Sequence, residues 1–136
     1  NLIFVDCEAR GPSPLNGTLT EYGAVHYGSR RTFHGVLFES KPDPANPAVP
    51  LVGERVHTDE HVAREFAKWT ETVVEGRPVL VSDNPAFDFM WIAVHFAAAG
   101  MANPFGHSGR RISDFWAGVQ GNWSDTQSWK KFRKYF

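Results

Sequence analysis

Four apolar residues, Leu2-Ile3-Phe4-Val5, lead into acids and then into the breaker Arg10-Gly11-Pro12-Ser13-Pro14. A run this short and this continuously apolar predicts a buried central strand ending near Glu8, because a surface helix would interleave polar positions. A second strand is predicted from Glu21 to Tyr27, a turn at Gly28-Ser29, and a return strand from Thr32 to Phe38, where Phe33, Val36 and Phe38 suit a sheet. These three make an antiparallel meander. The following stretch, Lys41-Pro42-Asp43-Pro44-Ala45-Asn46-Pro47-Ala48-Val49-Pro50, has four prolines that remove ladder donors and forbid helix, which predicts an extended surface loop.

Helical spacing comes next. Val62, Phe66, Trp69 and Val73 recur at intervals of four, three and four, with Thr58 or Asp59 as cap and Gly76 as stop, so an amphipathic helix is predicted against the sheet. Pro78 to Val81 has the signature of another buried strand, and Asn84-Pro85 supplies a capping side chain followed by proline at the first helical position. The helix it opens runs to about Ala99, with Gly100 as its stop. One stripe holds Phe87, Trp91, Val94 and Ala98, another Phe89, Ile92 and Phe96, which predicts a largely buried helix. Arg111 to Phe115 reads as a fifth, edge strand. Neither a repeat nor an internal linker interrupts the chain.

Composition narrows the class. A chain of 136 residues with 12 Gly, 9 Pro and 42% apolar side chains describes one domain with a proper core. Folding at this size hides roughly two-thirds of the unfolded surface, so neither disulfides nor a structural zinc is required, and the single cysteine, Cys7, agrees. With 14 basic against 15 acidic residues, bulk positive potential alone does not hold a polyanion, and local features must. No long apolar run and no charged-then-apolar leader marks a membrane span or a secretory signal, so a cytoplasmic setting is the default expectation. The start at Asn1 inside an apolar run and the stop at Phe136 within a basic aromatic segment read as a chain cut at both ends.

Asp6 and Glu8 stand two apart at the carboxyl end of the first strand, and period-two alternation points both carboxylates to one face and Cys7 to the other. Packed like charges there need solvation, protonation or neutralisation, and a divalent cation is the usual neutraliser for oxygen ligands. A solvated acidic pair is the plainer alternative. Asp88, one turn into the helix that follows the strand of Val79 to Val81, favours the cation, since ligands in open α/β sheets collect at the carboxyl ends of such strands. If the two strands are neighbours, Asp88 faces Asp6 and Glu8 across a metal-sized gap. Three hard oxygen donors suit Mg²⁺ or Mn²⁺ rather than zinc, and a site of this type can hold two metals about 4 Å apart acting on a phosphodiester.

Phe4-Val5-Asp6-Cys7-Glu8 with Glu21-Tyr22-Gly23-Ala24-Val25 resembles the first motif of the DEDD (DnaQ-like) 3′-5′ exonucleases of the ribonuclease H-like superfamily, and Asp83-Asn84-Pro85-Ala86-Phe87-Asp88 resembles their second. The resemblance covers nearly the whole chain. It implies an α/β fold with a mixed five-stranded sheet of order 3-2-1-4-5, strand 2 antiparallel, and flanking helices. It also implies Asp6, Glu8 and Asp88 as metal ligands and catalytic residues, with Asn84 and Phe87 shaping a nucleotide pocket. The implied activity is release of nucleoside monophosphates from the 3′ end of single-stranded RNA or DNA by metal-activated water. Asp83 stands where the family often has His, at a position that is not a ligand. The family's third motif, a last Asp preceded by a His five or a Tyr four residues earlier, is missing from these residues, and Asp114 and Asp125 fit it poorly. A non-catalytic nucleic-acid or nucleotide-binding module on the same fold is the alternative, and an unrelated α/β domain with accidental acids is a third.

Two further features stay open on sequence alone. Arg10, just after the acidic pair, can hold a substrate phosphate or salt-bridge the acids. Trp129, Phe132 and Phe136 share a helical face ringed by Lys130, Lys131, Arg133 and Lys134, which makes either a stacking, backbone-binding surface or, more ordinarily, an amphipathic helix docked on the sheet. His95, on the face of Asp88, reads as a core histidine.

Overall fold

In the computed structural model, which describes residues 1–48 and 50–135, and only the backbone at 50–52 and 133–135, alternation along the first strand sets the layering. In β1 (Leu2–Arg10) Ile3, Val5 and Cys7 are buried, while Asp6 and Glu8 stand exposed on the other face. The strand runs two residues past the predicted end. β2 (Thr18–His26) returns antiparallel and begins three residues earlier than predicted, placing Tyr22 and Ala24 opposite Cys7 and Val5 in the core. The His26 ring nitrogen Nδ1 accepts the Ser29 N–H at 3.2 Å and closes the turn into β3 (Thr32–Val36), which pairs antiparallel with β2.

The return strand does not continue to Phe38, and the proline-rich stretch is not strandless. β4 (Phe38–Pro42) and β5 (Pro50–Arg55) form a separate antiparallel ribbon. Leu37, 1% exposed, divides β3 from β4: its N–H donates to Thr20 O at 2.8 Å and its carbonyl accepts from Val56 N at 2.8 Å. Pro42 and Pro50 oppose each other at the last pair of the ladder, where a missing donor costs least. Val49, within the expected loop, lies outside the described residues.

α1 (Asp59–Val73) is capped by Thr58, whose Oγ1 accepts the His61 N–H at 3.1 Å, and acids in its first turn suit the helix dipole. Val62, Ala63 and Phe66 are buried, Trp69 and Val73 half-buried, and the chain reverses at Gly76, φ +83°. β6 (Val79–Ser82) then runs parallel to β1. α2 (Pro85–Ala98) buries Asp88, Trp91, Ile92, His95 and Phe96. Its cap differs from the expected one: the Asn84 side chain makes no capping bond, and its backbone carbonyl receives Phe87 N at 2.9 Å and Asp88 N at 3.0 Å. Phe66 joins the layers, meeting Tyr22 edge-on at 5.2 Å, Phe105 at 5.9 Å and Phe96 at 6.2 Å.

β7 (Gly109–Arg111) is the edge strand, parallel to β6, but only Arg111 of the predicted stretch belongs to it. Residues from Ile112 form α3 (Ile112–Gln120), which buries Ser113 and Ala117, one turn apart, and ends at Gly121 in the left-handed region, φ +64°. A 3₁₀ helix, Ser128–Tyr135, closes the described chain. The main sheet has the order β3-β2-β1-β6-β7 with β2 antiparallel to β1, as expected for a ribonuclease H-like fold. No helix among the described residues is long and apolar enough to cross a membrane.

Candidate active site

The carboxyl ends of β1 and β6 share one rim because the strands are parallel, and β6 stops first, its ladder ending at Phe4 opposite Val81. Odd-numbered backbone groups of β1 face β6, as the bond from Val79 N to Asn1 O at 2.9 Å shows, so the Cys7 N–H emerges from an edge β6 no longer covers. Asp88, in the first turn of α2, satisfies it: Oδ1 accepts the Cys7 N–H at 2.9 Å. Cys7 lies between Asp6 and Glu8, so this one bond brings the third carboxylate to the strand position flanked by the other two.

Charge at the rim follows from that placement. Burial raises the Asp88 carboxyl above the usual range, the Cys7 N–H and the neighbouring Ser82 hydroxyl oppose the rise, and the Asp6 charge adds to it. Ser82, 3% exposed, stands beside the carboxylate without closing a hydrogen bond of good geometry. The Cys7 thiol is pushed up by burial first and then by Asp88, Asp6 and Glu8, so it stays neutral while sensing all three carboxylates. Glu21, which the site prediction did not include, is the strand partner of Glu8, and its Oε2 lies 2.6 Å from His34 Nε2. The β1–β2 register is the signal that finds it. Gly23 is the partner of Asp6, and nothing lies within 4 Å of where a Cβ would stand, so the sheet face beside Asp6 is open.

A groove of about 440 Å³ occupies that face, opposite α1 and α2, lined among others by Phe4, Asp6, Gly23, Val25, Val81 and Trp129. Its far wall is tied down by Asp83. Oδ1 accepts from Ser113 Oγ at 2.7 Å, Oδ2 pairs with Lys130 Nζ at 3.1 Å, and the backbone carbonyl accepts from Arg111 Nε at 3.0 Å. Burial resists ionisation of Asp83, but Ser113, Lys130 and Arg111 outweigh it and hold its carboxyl below the usual range.

The other residues singled out in the sequence are distributed as follows. Asn84 is exposed at the α2 cap, Phe87 is half-buried and meets Trp91 edge-on at 6.1 Å, and Arg10 is exposed at the last position of β1. Asp114 pairs with Arg111 at 3.4 Å in the first turn of α3. Asp125 accepts Ser128 N at 3.0 Å and Trp116 Nε1 at 3.2 Å, which anchors the 3₁₀ helix. Trp129 Nε1 donates to Ser113 Oγ at 3.1 Å and Phe132 packs on Trp116 at 5.6 Å, so this segment is docked on α3. Phe136 and the side chains of Arg133, Lys134 and Tyr135 lie outside the described residues. His95 is buried, with Nδ1 3.0 Å from Asp59 Oδ1 and Nε2 3.3 Å from the Tyr22 hydroxyl.

Asp6, Glu8 and Asp88 offer the hard oxygen donors that suit Mg²⁺ or Mn²⁺, and the repulsion between Asp6 and Asp88 is of the kind a cation relieves. Among the described residues, no group of three or more His, Cys, Asp or Glu is disposed to hold a metal ion, and one Asp88 oxygen is engaged by Cys7.

Element order, the antiparallel second strand and the helices between β5 and β7 define a ribonuclease H-like α/β fold. Its solved counterparts include E. coli exonuclease I. The zinc-bound complex of that protein with single-stranded DNA aligns with a TM-score of 0.59 at 13% identity, over 88% of this chain and 29% of that one. The metal-free form of the complex aligns with a TM-score of 0.60 at 13% identity, over the same 88% and 29%. This chain thus spans under a third of exonuclease I. No protein-family model matches the chain, and no curated protein sequence does.

Proposed function

We propose that this chain carries the acidic centre of a metal-dependent 3′-5′ exonuclease, which hydrolyses the terminal phosphodiester bond of single-stranded RNA or DNA and releases nucleoside monophosphates. The observation that carries the reading is the bond from Cys7 N–H to Asp88 Oδ1, which joins the two motif-bearing segments at one strand position. The exonuclease fold of the solved counterparts, crystallised with single-stranded DNA, supports it.

Asp6, Glu8 and Asp88 are assigned to hold Mg²⁺ or Mn²⁺. When bound, the ion supplies acidity to water and charge for the leaving oxygen. The chain's own part is positional: Asp6 and Glu8 project to the open sheet face, Asp88 closes the rim, and the groove beside Asp6 receives the terminal nucleotide. Asn84 and Phe87 are assigned to shape the nucleotide pocket, and Arg10 is assigned to a backbone phosphate. The second reading, a nucleic-acid-binding module without hydrolysis, is favoured by the lack of a three-residue donor group among the described residues.

The deciding experiment is Mn²⁺-dependent release of mononucleotides from 3′-labelled RNA and DNA. The exonuclease reading expects release by the chain and a fall of at least a hundredfold, about 2.7 kcal/mol in barrier, in Asp6→Ala. Equal release by Asp6→Ala removes the catalytic assignment, and oligonucleotide binding with no release selects the second reading.

A further inference from the structure

Charge in this chain is segregated although its total is nearly neutral. Residues 109–136 hold six of the fourteen basic residues and two of the fifteen acidic ones, a net +4, whereas residues 1–108 carry a net −5. The basic part starts at β7, and because β7 is parallel to β6 its carboxyl end, where α3 begins, lies on the rim that carries the acids. A positive flank beside an acidic rim is an arrangement that a polyanion fits.

Ring exposure adds the second half. Two aromatic residues of the 3₁₀ helix are engaged, Trp129 by Ser113 and Phe132 by Trp116. Beside the engaged Trp116, α3 and its following turn carry two rings that face water: Phe115 is 76% and Trp123 80% exposed, with Val119, 62% exposed, one turn beyond Phe115. Exposed apolar groups gathered in one short segment beside basic residues are the kind of surface that marks an interaction site. Lys130 is held by Asp83 and Arg111 by Asp83 and Asp114, but Arg110 and Lys131 are exposed and face no carboxylate partner among the described residues.

We propose that α3 and the turn after it bind single-stranded nucleic acid, with unpaired bases stacking on Phe115 and Trp123 and backbone phosphates meeting Arg110 and Lys131. A duplex hides the base faces that these rings require, so the surface selects single strands. The inference extends the proposed exonuclease reading, but it is read without hydrolysis.

The test is fluorescence anisotropy of a fluorescein-labelled oligothymidylate in EDTA. Phe115→Ala/Trp123→Ala is expected to weaken Kd by about tenfold or more with an unchanged Tm. Arg110→Gln/Lys131→Gln is expected to reduce the slope of log K against log salt by about 1.4. Unlabelled duplex is expected to compete more weakly than the single strand. No binding by the unmodified chain, or equal affinity in the aromatic double variant, overturns the proposal. So does a dimer in sedimentation that the double variant dissolves without loss of oligonucleotide affinity, because a second copy then covers the rings. Aromatic-dependent binding together with no Mn²⁺-dependent release overturns the exonuclease reading and retains this one.

Discussion

The two faces of β1 divide the molecule's labour. On one, Ile3, Val5 and Cys7 pack among Tyr22, Phe66 and Phe96 beneath α1 and α2, and the surroundings are dry. On the other, Phe4 and Asp6 line an open groove and Glu8 stands exposed beyond them. Alternation alone separates them, since neighbouring side chains of a strand point to opposite sides. Asp88 is the exception that couples the faces. It belongs to a helix of the packed side, yet its carboxylate is spent on the strand edge between the two open-face acids. The lesson is that the core's contribution to the site is placement of a single carboxylate, and it can be perturbed separately from the open face.

The largest effect is expected at the centre of the packed face. Phe66→Ala, at a site with 0% exposure, is expected to cost about 3–5 kcal/mol in urea unfolding. A loss below about 1 kcal/mol contradicts the central place given to this ring. His95→Gln is expected to cost about 1–2 kcal/mol at neutral pH by disturbing the bonds to Asp59 and Tyr22. The pH dependence sharpens that prediction. Burial lowers the His95 pKa, with Asp59 opposing and the Arg55 charge adding, so the unfolded chain takes up the proton first. Stability of the unmodified chain therefore falls as pH drops below about 6.5, and the gap to His95→Gln narrows.

On the open side, Asp83→Ala is expected to cost about 1 kcal/mol, since its ion pair with Lys130 is partly solvated, and to speed hydrogen exchange in α3 while leaving α1 unchanged. Because the Asp83 carboxyl is held low, this contribution is present at neutral pH and is lost as the solution is acidified through the carboxylate range. The smallest effect has the opposite sign. The Asp88 carboxyl is raised, chiefly by burial, so ionisation above its folded pKa destabilises the metal-free chain. Asp88→Asn keeps an acceptor for Cys7 N–H, and it is expected to raise Tm at pH 7 in EDTA, with the gain shrinking toward acid pH. A lower Tm in Asp88→Asn sinks this part of the comparison.

Much of this division was legible in the residues. The continuous apolar run of β1, the four-three-four spacing of α1 and the proline at the first position of α2 each marked an element that the fold contains. The β4–β5 ribbon was hidden because its prolines resemble those of a loop until Pro42 and Pro50 are seen at the ladder's end. Residues 112–115 resemble a strand because a four-residue window is too short to show helical period, which Ser113, Ala117 and Gly121 supply. The acids and the strand end they were expected to share were legible, but the bond that ties Asp88 to β1 was not, because it depends on where β6 stops and frees the Cys7 N–H. The role of Asp83 was equally hidden, its partners Ser113 and Lys130 lying far along the chain.

The account turns on Asp6, Glu8 and Asp88 sharing one divalent ion, and calorimetric titration of the chain with Mn²⁺ tests it most directly. The unmodified chain is expected to give a saturable heat, and Asp6→Asn and Asp88→Asn are each expected to weaken the affinity at least about tenfold, with folding verified by Tm. Equal Mn²⁺ affinity in all three proteins, or no binding by the unmodified chain, contradicts it.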